Sequence, residues 1–173
     1  LQAFELISDV GMLFLEETKM VQSNIERSKS DWHVLIELGF DNSSVEEEVY
    51  ETLNNLFIKN IVSDVVVGDT EAKARNLWKI REDIPEANRK IGAITSHDIS
   101  LPLENMESFI NKSLIEIKEI NKLLRVNCFG HMGDGNLHFN IFPPHGEKNT
   151  SYLKIKSKLT DIINNNCKSL HGS

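Results

Sequence analysis

Two hydrophobic periods alternate along this chain of 173 residues. Val45, Val49, Leu53 and Leu56 recur every three or four positions and predict a helix running to about Lys59. Asp41-Asn42-Ser43-Ser44 precedes it, with Ser43/Glu46 and Ser44/Glu47 at capping-box spacing. Ala74, Leu77, Ile80 and Ile84 predict a second helix, capped by Asp69 or Thr70. Pro85 lacks an amide donor, so a kink or break is expected near it. Met106, Phe109, Ile110, Leu114 and Ile117 mark a third helix, and residues 152–170 a last one. Short β-type runs lie between these. Residues 32–40 read as a buried strand, 63–67 as a β-branched strand closed by Gly68, and 93–101 as a strand ended by Pro102. Residues 123–129 and 136–142 read as a strand pair around a glycine-rich turn, followed by a loop at Pro143-Pro144-His145-Gly146. In the first thirty residues, an apolar stretch at 10–15 predicts a helix and the polar stretch at 22–30 a mobile loop.

Strands alternating with helices and closed by a hairpin predict an α+β domain of two layers, a mainly antiparallel sheet covered by helices, of ferredoxin-like type. No Pro-rich linker, repeat or low-complexity segment divides the chain, so residues 1–173 are read as one domain. Charge narrows the function. Twenty-six acidic residues against 19 basic give a net charge of −7, which argues against a nucleic-acid partner. No apolar run approaches the ~20 residues of a membrane span. Two cysteines, Cys128 and Cys167, are too few for a disulfide framework and fit a reducing compartment, cytoplasmic or, in a eukaryote, mitochondrial. The start lacks both a Met and the basic residues of a signal peptide, and the end at His171-Gly172-Ser173 is abrupt, so the sequence reads as a piece of a larger protein.

Chemistry concentrates in Cys128-Phe129-Gly130-His131-Met132-Gly133-Asp134-Gly135-Asn136-Leu137-His138-Phe139-Asn140. Three glycines in six residues let the chain turn back tightly and bring His131 beside His138. Side chains alternate along a strand, so Asn136, His138 and Asn140 share a face. Neutral imidazoles are common zinc ligands, and two of them need one carboxylate to complete an open three-ligand site. Other readings of the same residues stay open. Asp134 is a natural turn former, and a Gly-Asp-Gly loop could cradle a phosphate with its amides.

The run from His131 to His138, His-x-Gly-Asp-Gly-Asn-Leu-His, resembles the signature of the C-terminal domain of FAD-linked oxidases. These belong to the vanillyl-alcohol oxidase superfamily, in the branch of D-lactate and D-2-hydroxyglutarate dehydrogenases and the glycolate oxidase flavin subunit. Leu77-Trp78-Lys79-Ile80-Arg81-Glu82 is similar to the family's Leu-Trp-x-x-Arg-Glu helix, and Asp98-Ile99-Ser100-Leu101-Pro102 to its Asp-hydrophobic-Ser-hydrophobic-Pro strand. The resemblance covers most of the chain. It implies a substrate-binding cap domain of an FAD-dependent enzyme that oxidises a D-2-hydroxy acid by hydride transfer to flavin. By the same resemblance, His131 and His138 bind a divalent metal, usually zinc, Arg81 pairs with the substrate carboxylate, and Asn140 hydrogen-bonds the substrate. It further implies that the flavin-binding domain precedes residue 1, and that a third metal ligand and base lie in a Ser-Ala-Glu-His-Gly segment beyond Ser173. No catalytic base is then expected within residues 1–173, and the piece alone should be inactive. A homodimer is admitted as the assembled state. Two positions depart from the D-2-hydroxyglutarate pattern. Ser96 stands where a Lys is frequent and Pro85 where a Thr is frequent, both at groups able to grip a substrate's distal end, so D-2-hydroxyglutarate is left in question.

The remaining candidates read as structural. His97 is expected to be a strand histidine satisfied by hydrogen bonds, His33 a structural residue, and His145 and His171 loop residues. Taken alone, Arg81 would be an exposed helical cation, Trp78 a core residue, and Cys128 a small buried hydrophobe. Two other function classes are carried. One is a non-catalytic interaction module of cytoskeletal-binding type, for which the sequence offers no exposed aromatic stripe or heptad. The other is a stand-alone metallohydrolase, which needs a full ligand set within this chain.

Overall fold

A computed structural model describes residues 1–20, 30–39 and 43–173. Five strands form one open antiparallel sheet: β1 (Ala3–Ser8), β2 (Trp32–Glu37), β3 (Thr95–Ser100), β4 (Arg125–His131) and β5 (Asn136–Phe142), in the spatial order β2-β1-β4-β5-β3. Five helices accompany them: α1 (Asp9–Glu17), α2 (Ser43–Ile58), α3 (Glu71–Ile91), α4 (Met106–Ile120) and α5 (Leu153–Ser169). The α+β class and the antiparallel sheet are as expected.

Alternation along the strands decides what each face of the sheet meets. Leu6, Ile99, Val126, Cys128, Leu137, Phe139 and Ile141 point to one face, where α4 packs Phe109 and Ile117 and α5 packs Leu159 and Ile163 into the main core. Phe109 and Phe139 meet there edge to face with centroids 5.3 Å apart. Ile7, Phe129 and Phe142 point the other way, against Phe14 and Leu15 of α1 and Ile84 and Ala87 of α3. This second face also receives the polar side chains of Glu5, Asn127, His138 and Asn140.

Helix α3 carries most of the functional argument, and its ends are well made. Thr70 is the N-cap and accepts the Lys73 amide proton at 3.3 Å. Glu71 lies in the first turn, Arg89 and Lys90 in the last, and Gly92 closes the helix at φ 84°. Pro85 does not break it. A single helix of 21 residues passes through that position, held by Ile84 and Ala87 buried on either side.

Several expectations need correction. The first residues form β1, which apolar spacing around 10–15 did not disclose, because six residues offer too short a run to read. Strand β2 is not buried. It lies at the sheet's edge, pairs only with β1, and leaves Val34 and Ile36 exposed. Residues 63–67 are extended but join no ladder, and Val65, Val66 and Val67 are exposed. β-branched composition alone does not supply a partner strand. Trp78 is half-buried, donating from Nε1 to Glu37 of β2 at 3.0 Å, so it bridges elements instead of filling the core. Asp41 and Asn42, the side chains of the cap candidates Ser43 and Ser44, and most of the loop expected at 22–30 lie outside the described residues.

Candidate functional site

The predicted turn between β4 and β5 is a single 3-10 turn, Met132–Asp134, closed by Gly135 in the left-handed region at φ 71°. A Cβ on Gly135 would stand 2.2 Å from the Leu101 carbonyl oxygen, so this bend needs glycine twice over. The strands then pair with Phe129 opposite His138 and Asn127 opposite Asn140. His131 and His138 end up on the second face with ring centroids 6.3 Å apart and planes at 72°. The His138 ring lies 4.9 Å from Phe129.

Each imidazole has a carboxylate near its Nδ1. For His131 it is Glu5 Oε1 at 2.5 Å, and for His138 it is Asp98 Oδ1 at 3.5 Å. Asn136 of β5 donates to the same Asp98 oxygen at 2.9 Å. Burial, the largest influence, holds the His138 imidazole below its ordinary pKa; nearby Asp98 opposes this. A neutral ring is the state that ligates metal. Two imidazoles, one with Nδ1 against Glu5 and the other with Nδ1 3.5 Å from Asp98, are donors of the type a zinc-like ion takes. Among the described residues, no group of three or more His, Cys, Asp and Glu side chains is assembled that could hold a metal by itself. That counts against a stand-alone metallohydrolase.

Arg81 departs from the exposed cation that the helix pattern alone suggests. It is 7% exposed, and its Nε donates to Glu5 Oε2 at 2.8 Å. Its guanidinium carbon stands 4.8 Å above the Phe129 ring. A cavity of about 490 Å³ has Phe129 in its wall, together with Pro85, Asn88, Ser96, His138 and Asn140. His138 and Asn140 thus reach the cavity directly, while Arg81 and His131 are joined to it through Phe129 and the facing His138 ring. Arg89 also borders the cavity, but Glu86 holds it bidentately at 2.7 and 2.8 Å.

The site residue that sequence reasoning missed is Glu5. A carboxylate within the apolar stretch Phe4-Glu5-Leu6-Ile7 of a strand was the available signal, since alternation puts it on the face opposite Leu6. The other histidines behave as expected. His97 is satisfied by Thr95 Oγ1 at 2.8 Å, and His33 lies 3.5 Å from Asp9. Cys128 is buried, and burial pushes its thiol pKa far up, so it is no nucleophile.

A pair of histidines, each near a carboxylate, thus stands beside a cavity of mixed polar and apolar wall on the open sheet of an α+β lobe. The chain belongs to the family of FAD linked oxidases, C-terminal domain, whose profile matches residues 1–169. It is 35% identical over 144 residues to the mitochondrial D-2-hydroxyglutarate dehydrogenase of Arabidopsis thaliana, covering 82% of this chain and 25% of that protein. It is 33% identical to a Schizosaccharomyces pombe protein carrying the name of a mitochondrial D-lactate dehydrogenase, over 82% of this chain and 28% of that one. With the mitochondrial D-2-hydroxyglutarate dehydrogenase of Danio rerio it shares 30% identity, over 83% of this chain and 26% of the relative. The chain spans about a quarter of the length of these curated relatives.

Proposed function

We propose that this chain is the substrate- and metal-binding lobe of an FAD-dependent dehydrogenase that oxidises a D-2-hydroxy acid to the 2-oxo acid. The observation that carries the reading is that His131, His138 and Arg81 gather about Phe129, beside a cavity that Phe129, His138 and Asn140 line. His131 and His138 would hold a divalent metal through Nε2. Such an ion, when bound, polarises a hydroxyl and favours loss of its proton. Arg81 presents a fork suited to a carboxylate, and Asn140 offers both a donor and an acceptor at the cavity wall. Hydride would leave the α-carbon for a flavin carried by another lobe of the same protein.

Among D-2-hydroxy acids, the cavity favours small ones. Pro85 and Ser96 stand in its wall and neither carries a cation for a second carboxylate, while Arg89 of the same wall is paired with Glu86. The mitochondrial names of the relatives favour that compartment in a eukaryotic source. A screen of D-lactate, glycolate and D-2-hydroxyglutarate on the full-length flavoprotein, with metal analysis alongside, tests the reading. His131→Ala is expected to remove the metal and at least 100-fold of kcat/KM together. A variant that stays metal-free yet turns over at the wild-type rate would overturn the metal role.

A further inference from the structure

Glu5 is 3% exposed, yet it makes polar contacts with residues from two other elements. Its Oε2 accepts the Nε proton of Arg81 on α3 at 2.8 Å, and its Oε1 lies 2.5 Å from Nδ1 of His131 on β4. The register of β1 against β4 sets Glu5 directly opposite His131. We propose that Glu5 is a positioning residue which prepares His131 for metal and Arg81 for the substrate carboxylate at once, a role that rests on the function proposed above.

The chemistry follows from what a carboxylate can do. An ionised carboxylate only accepts hydrogen bonds, so the His131 nitrogen facing Glu5 must carry the proton. In the neutral ring the lone pair then lies on Nε2. Metal ligation uses that lone pair, and a carboxylate behind the ring raises its basicity. The His131 side chain is 52% exposed, so the ring is open on the side away from Glu5. On Arg81, Glu5 accepts from Nε, so the outer Nη edge of the guanidinium is the edge that would meet a carboxylate. One side chain therefore sets a tautomer on one strand and a guanidinium orientation on a neighbouring helix. The competing account is that Glu5 only neutralises a buried Arg81.

Glu5→Gln separates the two. A glutamine that turns its oxygen to Arg81 Nε must turn its NH₂ to His131 Nδ1, which forces the ring proton onto Nε2, where it blocks coordination. In the full-length flavoprotein, zinc affinity measured by chelator competition is expected to fall 10- to 100-fold in Glu5→Gln. The loss should also appear in the double variant Glu5→Leu/Arg81→Met, which has no buried cation to neutralise and no acceptor behind the His131 ring. Zinc affinity of Glu5→Gln within twofold of wild type overturns the proposal, as does return of wild-type affinity in the double variant. Should either variant fold poorly, the wild-type protein still decides. Nitrogen-15 NMR of metal-free protein at pH 8 should find the His131 proton on Nδ1, and a proton on Nε2 overturns the assignment. Wild-type protein that binds no zinc at all overturns the metal reading itself, a result distinct from equal affinities in wild type and variant.

Discussion

Gly135 stands where the chain must turn left-handed and pass within contact of the Leu101 backbone. Gly135→Ala therefore meets both a steric clash and an unfavourable φ, and is expected to lower stability by at least about 2 kcal/mol. Gly146 is the control. It has φ 79° but nothing within 4 Å of an added Cβ, so Gly146→Ala should cost only about 1 kcal/mol of backbone strain. Denaturant midpoints of the two variants check the difference. At this scale, the sequence was most informative where glycine and histidine coincide. His131 and His138 are brought together because their turn is short and locally encoded. Glu5 and Arg81 lie 76 positions apart, and no local pattern announces that a carboxylate from the first strand reaches the third helix.

Among elements, helices with one apolar face were legible because a 3.6-residue period repeats several times within each. Helices α3, α4 and α5 lie close to where Ala74 to Ile84, Met106 to Ile117 and residues 152–170 put them. Strands fared unevenly. Thr95–Ser100 and the β4–β5 pair emerge, whereas β1 is too brief, and the valines of 63–67 have the composition of a strand without a neighbour to pair with. β3 also carries a prediction of its own. His97 hydrogen-bonds Thr95, which in turn lies 3.2 Å from Thr160 of α5, and burial lowers the His97 pKa below its ordinary value. The unfolded chain then binds more protons than the folded one just below the unfolded pKa of about 6.5. Stability from this residue is complete above that pH and is lost as pH falls through the window beneath it. Melting temperature should decline from pH 7.5 to 5.5, and His97→Gln should flatten part of that slope.

At the scale of the molecule, the α+β class and antiparallel sheet could be read in advance, since alternating element types leave few ways to build a layer. What could not be read is how the sheet divides its two faces, a main core under α4 and α5 and a second face where apolar packing gives way to the site. That division is settled by pairing order, β2-β1-β4-β5-β3, which depends on contacts far apart in sequence. The central position of β4 has one more consequence. Its Cys128 lies three residues before His131, sealed beneath the sheet with a thiol that is hard to ionise. A thiol reagent can reach that sulfur only when the middle of the sheet parts, so its rate of modification becomes a clock for whole-lobe opening. A ligand that binds the opposite face, as the proposed substrate and metal would, should slow that clock in proportion to its occupancy, giving a way to weigh ligands without watching a single turnover.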